Sequence, residues 1–169
     1  GAGAVAVYTT AAFFGKCVAA VIEPASAVFL AYISQKEFKM SRKIFTYITG
    51  ASVVFCGVCL LASLVFAPWI TGLFYPSLLA EAAPFFVLAN TAAMIAAAGS
   101  MVQAIVLRFC KASKLLYTQI IYSIVYLGGG LLVLAPYGIT GFCWVAIAAN
   151  TVRLLTLIFY GYKKVGQKS

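Results

Sequence analysis

The stretch that decides the fold is KEFKMSRKIFTYITGASVVFCGVCLLASLVFA, residues 36–67. Its first eight residues carry four cations, and the 24 residues that follow carry no charge. A helix of that length is about 36 Å long, which is enough to cross the roughly 30 Å hydrocarbon core of a bilayer. A basic loop followed by such a run predicts a transmembrane helix that begins on the cytoplasmic side.

The alternation of basic loop and apolar run extends along the whole chain. Ten of the twelve Lys and Arg residues lie in three clusters, and successive clusters are separated by room for two crossings. All three clusters can therefore lie on one side of a bilayer, which is the positive-inside pattern. The clusters are Lys36, Lys39, Arg42 and Lys43; Arg108, Lys111 and Lys114; and Lys163, Lys164 and Lys168.

The pattern predicts an all-α polytopic membrane bundle of five spans. Five crossings place the N-terminus outside and the C-terminus in the cytoplasm. The outer turns support this orientation, because Glu81 is their one charge and because Trp69 and Trp144 fall on that side, as interfacial tryptophans do. Contact with a ligand is the alternative interpretation of Trp69. The predicted spans cover residues 5–33, 44–67, 83–107, 115–135 and 139–162.

The composition assigns the chain to the cell membrane and argues against other classes. The chain is 64% hydrophobic and 9% charged, whereas about a quarter of a soluble domain is charged. The net charge of +9 is explained by topology and anionic lipid, so we predict no nucleic-acid partner. With no His and three scattered acids, we predict no enzyme activity, no cofactor and no metal site. Cys56 and Cys59 are interpreted as small apolar residues on one helix face.

The first predicted span is unusual because it carries charge. Thr9, Lys16 and Glu23 recur every seven residues, which differs from two full helical turns by only about 20°, so they share a face. Eleven Val, Ile, Leu and Phe residues favour insertion by about 3 to 7 kcal/mol, while two central charges would cost about 5 to 7 kcal/mol. We therefore expect this face to contact other helices or a hydrated cavity. At about 43 Å the span is also longer than the membrane needs, and Pro24 is its expected kink.

A second, weaker polar face is predicted on the fifth span, at Asn150 and Arg153. Arg153 and Glu23 lie at similar depths, about 14 and 15 Å from their cytoplasmic ends. Two interpretations stay open: a purely structural ion pair, or cavity-lining charges that contact substrate. Lys16, about 10 Å further out, has no partner evident in the sequence and is the better candidate for an anionic ligand. The candidate substrate-binding residues are Thr9, Lys16, Glu23, Asn150 and Arg153.

Other features of the spans predict helix packing. Residues 92–100 of the third span are rich in Ala and Gly, which lets neighbouring helices approach closely. The glycines at 128–130 are interpreted as a packing or bending point, with a hinge as the alternative. The amides of Asn90, Gln103 and Gln119 are expected to hydrogen-bond adjacent helices.

Several short motifs occur in a characteristic order. Residues 6–11, AVYTTA, are similar to G-x-Y-x-x-A and precede a long helix that ends in Ile33-Ser34 and a basic loop. An apolar hairpin turned by APWITGLFYP, residues 67–76, follows, and YGITGF comes late in the chain, at residues 137–142. Together these features resemble the C-terminal part of the polysaccharide-biosynthesis flippases of the multidrug/oligosaccharidyl-lipid/polysaccharide exporter superfamily.

The resemblance implies a protein of about twelve or more helices in two pseudo-symmetric bundles. This chain, which begins at Gly1 without an initiator Met or a signal-peptide pattern, would supply the last five helices, and a missing N-terminal bundle would be its partner. Its first span would line a central cavity. Such flippases move undecaprenyl-pyrophosphate-linked oligosaccharide to the outer leaflet by alternating access, and Lys16 and Arg153 are the cations that could meet the pyrophosphate or sugar acids. The alternatives are a cation-coupled multidrug efflux protein, a membrane-embedded enzyme of cell-envelope synthesis and a non-transporting scaffold.

Overall fold

The computed structural model describes residues 2–35 and 40–165, and its regular structure within these ranges is helical. Of the predicted basic residues, Lys36, Lys39 and Lys168 lie outside the described residues. Single turns of 3₁₀ helix at Pro76–Leu78 and Ala83–Phe85 and a π-helical turn at Ile124–Gly128 link the α-helices. The α-helices are α1 (Ala2–Ala11), α2 (Phe13–Ile33), α3 (Arg42–Phe74), α4 (Leu79–Ala82), α5 (Phe86–Phe109), α6 (Ala112–Ser123) and α7 (Gly129–Val165).

Four helical segments are long and apolar enough to cross a membrane, which indicates a membrane-embedded protein. α3 begins at the cap residue Ser41, whose side chain accepts a hydrogen bond from the Ile44 amide. It continues through Pro68 to Phe74, past the predicted end of the second span at residue 67. The four segments are Phe13–Ile33, Arg42–Phe74, Pro76–Phe109 and Ala112–Val165.

The segment Ala112–Val165 is a hairpin of two spans. Its 54 residues would extend about 81 Å as one straight helix, far more than a bilayer requires. At Gly138 the backbone leaves the helical region, with φ 58° and ψ −144°, a conformation that essentially only glycine adopts. Gly129 precedes Gly138 in the chain and Val145 follows it, yet a Cβ added at Gly129 would lie 2.9 Å from Val145 Cγ1. This close approach shows that the chain folds back near Gly138. The segment therefore supplies the predicted fourth and fifth spans.

The same contacts explain two of the three consecutive glycines in the fourth span, Gly129 and Gly130, whereas Gly128 has open space around it. Gly129 packs against Val145 on the returning arm of α7, and Gly130 lies beside the Phe142 ring, 3.5 Å from the position of an added Cβ. Small residues at these positions let the two arms approach closely. The packing interpretation is confirmed, whereas a hinge at this point stays a prediction.

α5 is the central helix of the described bundle. It packs against α2, α3 and α7, and half of its most apolar stretch is buried within the protein, against 17% for each of the other three segments. Ala92, Ala97 and Ala98 on this helix are almost completely buried. The prediction that small residues of the third span allow close helix packing is therefore confirmed.

The first predicted span is interrupted at Ala12 rather than at Pro24. α1 ends at Ala11 and α2 begins at Phe13, whereas α2 continues without a break through Pro24 to Ile33. A kink of α2 at Pro24 stays a prediction, because a helix can bend at a proline without ending there. A transmembrane helix tolerates proline because neighbouring groups can satisfy the carbonyl that loses its donor. The cause of the break at Ala12 lies on another helix.

Candidate functional site

Asn90 of α5 is inserted into the backbone of the first span. Its Oδ1 accepts a hydrogen bond from the Gly15 amide at 2.7 Å, and its Nδ2 donates to the Ala11 carbonyl at 3.1 Å. In a continuous helix the Gly15 amide would donate directly to the Ala11 carbonyl. The carboxamide thus takes the place of one main-chain hydrogen bond of the helix, and it separates α1 from α2. Nδ2 also donates to the Phe86 carbonyl of its own helix, so the fully buried side chain is well satisfied.

The break changes how the predicted polar face should be understood. Lys16 and Glu23 both lie on α2, so their seven-residue spacing still places them on one face about 10 Å apart. Thr9 lies on α1, beyond the break, and spacing alone no longer assigns it to that face. Its hydroxyl donates to the Val5 and Ala6 carbonyls of its own helix.

The charged residues of α2 are not covered by the other described helices. Lys16 and Glu23 are exposed, as are their neighbours Ala20 and Ala27. α2 packs against the bundle through other positions, notably Ile22 and the Phe14 and Val18 side chains beside it. A charged face on the apolar helix α2 is therefore left open to the surroundings.

A cavity of about 340 Å³ lies between α2, α5 and the second arm of α7. It brings together Glu23 and Arg153, which were predicted from the sequence to lie at similar depth. Gln103 of α5 also lines it. The cavity also contains two hydroxyl residues, Ser26 and Ser100, that the sequence did not single out as site residues.

Arg153 is held in this cavity by neutral groups. Its Nη2 donates to Gln103 Oε1, and Cζ lies 5.5 Å from the centre of the Tyr122 ring. Arg153 Nε is buried and has no hydrogen-bond partner among the described residues. Since an amide and an aromatic ring orient the guanidinium without neutralising it, its positive charge remains available to Glu23 or to an anionic ligand.

The remaining candidates are separated from this cavity. Asn150 is buried, its Nδ2 donates to the Ala146 carbonyl on the same helix at 2.8 Å, and its Oδ1 has no partner among the described residues. Lys16 is exposed and does not line the cavity. The structure therefore joins two of the five predicted site residues and leaves Thr9, Lys16 and Asn150 apart from them.

Two of the three polar amides behave as expected from the sequence. Asn90 bonds the first span and Gln103 bonds α7, so both predictions of hydrogen bonds to an adjacent helix are confirmed. The role of Gln103 in the cavity could have been recognised from its depth, because it lies one and a half turns before the basic end of α5 at Arg108. The contribution of Tyr122 had no sequence signal, because it depends on the hairpin that pairs α6 with α7.

Comparisons of this chain with protein families, with curated proteins and with solved structures found no match.

Proposed function

We propose that this protein is a transporter of the polysaccharide-biosynthesis flippase type, which moves lipid-linked oligosaccharide of the undecaprenyl-pyrophosphate kind across the cytoplasmic membrane by alternating access. The observation that carries the proposal is the open charged face of α2. Lys16 and Glu23 are exposed on the apolar helix α2, and Glu23 also lines the cavity that contains Arg153.

The energetics of this face support a hydrated cavity. A charged side chain at the centre of a lipid-facing helix costs about 2.5 to 3.5 kcal/mol on insertion scales. No other described helix covers Lys16 or Glu23, so the cost is not offset inside this bundle. In the proposed transporter a second bundle stands opposite α2, and the charges face the water between the two bundles.

The sign of the charge supports an anionic substrate. The spans carry two cations, Lys16 and Arg153, against the one acid Glu23. A phosphate in a cavity of reduced dielectric interacts with a cation more strongly than it does in water. In this scheme Lys16 binds the pyrophosphate or a sugar acid, and the Glu23–Arg153 region contacts the polar headgroup deeper in the membrane.

One observation favours a second candidate, cation-coupled efflux. Glu23 places a carboxylate in a cavity with Ser26, Ser100 and Gln103, and oxygen-bearing side chains of this kind suit a proton or a cation. Such a transporter would depend on Glu23 and tolerate the loss of Lys16. The two candidates therefore predict opposite sensitivities of these residues.

The experiment replaces Lys16 with Ala and, separately, with Arg in cells whose surface polysaccharide depends on this protein. We expect Lys16→Ala to lower surface polysaccharide and to accumulate lipid-linked oligosaccharide in the inner leaflet, while Lys16→Arg retains export. Lys43→Ala, in the first turn of α3, is the matched control because it removes the same charge outside the predicted spans. Normal export by Lys16→Ala at normal protein level would remove Lys16 from the mechanism.

The relation between Glu23 and Arg153 needs a separate experiment. We expect each single neutralisation, Glu23→Gln and Arg153→Gln, to reduce export or stability. If the two charges form a pair, exchanging them in Glu23→Arg/Arg153→Glu should restore what the single variants lose. Absence of rescue would instead indicate that each charge contacts substrate or solvent on its own.

A further inference from the structure

A second cavity, of about 290 Å³, lies at the predicted cytoplasmic end of the bundle. It is formed where α5 ends, α6 begins and α7 ends. Four lysines line it: Lys111 and Lys114 at the start of α6, and Lys163 and Lys164 in the last turn of α7. Residues more than 45 positions apart in the sequence are therefore brought to one pocket by the α6–α7 hairpin.

The lining of this pocket, which we name the lysine pocket, is strongly one-sided in charge. Neither of the described acids lines it, since Glu23 lines the other cavity and Glu81 lies at the opposite end of α5. Lys111, Lys114 and Lys163 are exposed. Like charges gathered at one pocket repel each other, and a bound anion would relieve that repulsion.

Aromatic rings orient part of this charge. The Lys114 ammonium lies 5.3 Å from the centre of the Tyr160 ring and 5.9 Å from that of Tyr117. Cys110 Sγ donates to the Tyr160 carbonyl at 3.6 Å, which ties the end of α5 to α7 behind the pocket. The lysine pocket is thus built on packed helix ends rather than on a free loop, so less ordering is required when an anion binds.

An apolar groove adjoins the lysine pocket. The groove, of about 580 Å³, shares Phe159 and Lys163 with the pocket and is continued by Leu155, Ile158 and Tyr162 along α7. Arg42, at the start of α3, completes its lining. Leu155 and Phe159 are each about 60% exposed. Because the groove lies on a span, the chemistry beside the cationic pocket is that of an acyl chain.

We propose that the lysine pocket binds the phosphate of an anionic membrane lipid, whose acyl chain lies in the groove along α7. Basic pockets between transmembrane helices on the cytoplasmic side are suited to such headgroups. The bound lipid would hold the ends of α5, α6 and α7 together. This site is separate from the proposed transport cavity and does not depend on the transport function.

The test measures thermal unfolding of the purified protein in a neutral detergent, followed by the fluorescence of Trp69 and Trp144. Dioctanoyl phosphatidylglycerol, dioctanoyl phosphatidylcholine and inorganic phosphate are titrated separately. We expect saturable stabilisation by phosphatidylglycerol only. For Lys111→Gln/Lys114→Gln the apparent Kd should rise roughly thirty-fold, because each lysine near an anionic surface contributes a factor of about five.

Matched controls separate a site from general charge attraction. Lys43→Gln/Arg108→Gln removes the same charge from basic residues that do not line the pocket, so it should bind phosphatidylglycerol like the native protein. Lys163→Gln, on the opposite wall, should raise the apparent Kd about fivefold and keeps the test valid if the double variant does not fold. An equal rise of the apparent Kd for phosphatidylglycerol in the pocket variants and in the control variant would overturn the proposal. So would stabilisation by inorganic phosphate or phosphatidylcholine as strong as that by phosphatidylglycerol.

Discussion

The Asn90 side chain offers a direct test of how the first span is shaped. Asn90→Ala removes the bonds to the Gly15 amide and the Ala11 carbonyl together with the bond to Phe86. Interhelical side-chain hydrogen bonds in membrane proteins contribute about 0.6 kcal/mol on average and about 1.7 kcal/mol at most. The two interhelical bonds therefore predict a loss of about 1 to 3 kcal/mol in the free energy of unfolding.

The loss is limited because the helix has an alternative. Without the carboxamide, the Gly15 amide can donate directly to the Ala11 carbonyl, and α1 and α2 then join into one helix. If the Gly15 amide and the Ala11 carbonyl did not bond each other, these two buried backbone groups would lack partners at a cost of about 1 to 3 kcal/mol each. We therefore expect the helix to close, and hydrogen exchange at the Gly15 amide to remain slow in Asn90→Ala.

Asn150→Ala is the matched control for this measurement. Asn150 is a buried asparagine whose Nδ2 donates to the Ala146 carbonyl of its own helix, and its Oδ1 has no partner among the described residues. Truncation leaves a similar cavity at both sites, so their difference reports the interhelical bonds. Reversible unfolding in mixed micelles with increasing dodecyl sulfate measures both. If Asn90→Ala loses no more stability than Asn150→Ala, the inserted carboxamide does not hold the first span to α5.

Three further predictions concern backbone and thiol chemistry. Gly15→Ala should lower the free energy of unfolding by about 1 to 3 kcal/mol in the same assay, because the added Cβ would lie 2.5 Å from a methyl group of α5. Gly57→Ala is the control: the space around Gly57 is open, so this change should be neutral or stabilising. Gly138→Ala should cost about 1 to 3 kcal/mol through its positive φ; an unchanged midpoint would contradict the hairpin geometry. Burial raises the pKa of the Cys110 thiol despite the opposing effect of a nearby lysine. In a variant whose one cysteine is Cys110, maleimide should therefore react more slowly at pH 7.5 than in a variant whose one cysteine is introduced by Ser113→Cys. The difference between the two rates should narrow at alkaline pH, where both thiols form the thiolate.

Much of the architecture could be predicted from local sequence. The apolar run after residue 43 and the cap at Ser41 are sufficient to start α3, because length and hydropathy are properties of a single segment. The turn near Gly138 was also predictable, since proline and glycine punctuate an otherwise apolar stretch. The end of α3 was not, because a helix can continue beyond the hydrocarbon region without a change in apolar pattern.

The candidate site was only partly accessible to the sequence. Depth along a helix follows from a rise of 1.5 Å per residue, and this predicted that Glu23 and Arg153 lie at the same level. Which side chain the guanidinium meets depends on how α5 and α7 are rotated against each other. That rotation placed Gln103 beside Arg153, and the α6–α7 hairpin placed Tyr122 there.

The sequence by itself determined an all-helical chain with apolar segments of membrane-spanning length and with most of its cations in three short clusters. Tertiary structure alone decided that the first span breaks at Ala12, because the break is made by Asn90, a residue 78 positions away whose amide replaces a backbone hydrogen bond. It also decided that lysines from two separate clusters share one pocket. Apolar length and charge act within one segment, whereas an inserted side chain or a shared pocket requires two segments at a fixed distance and rotation.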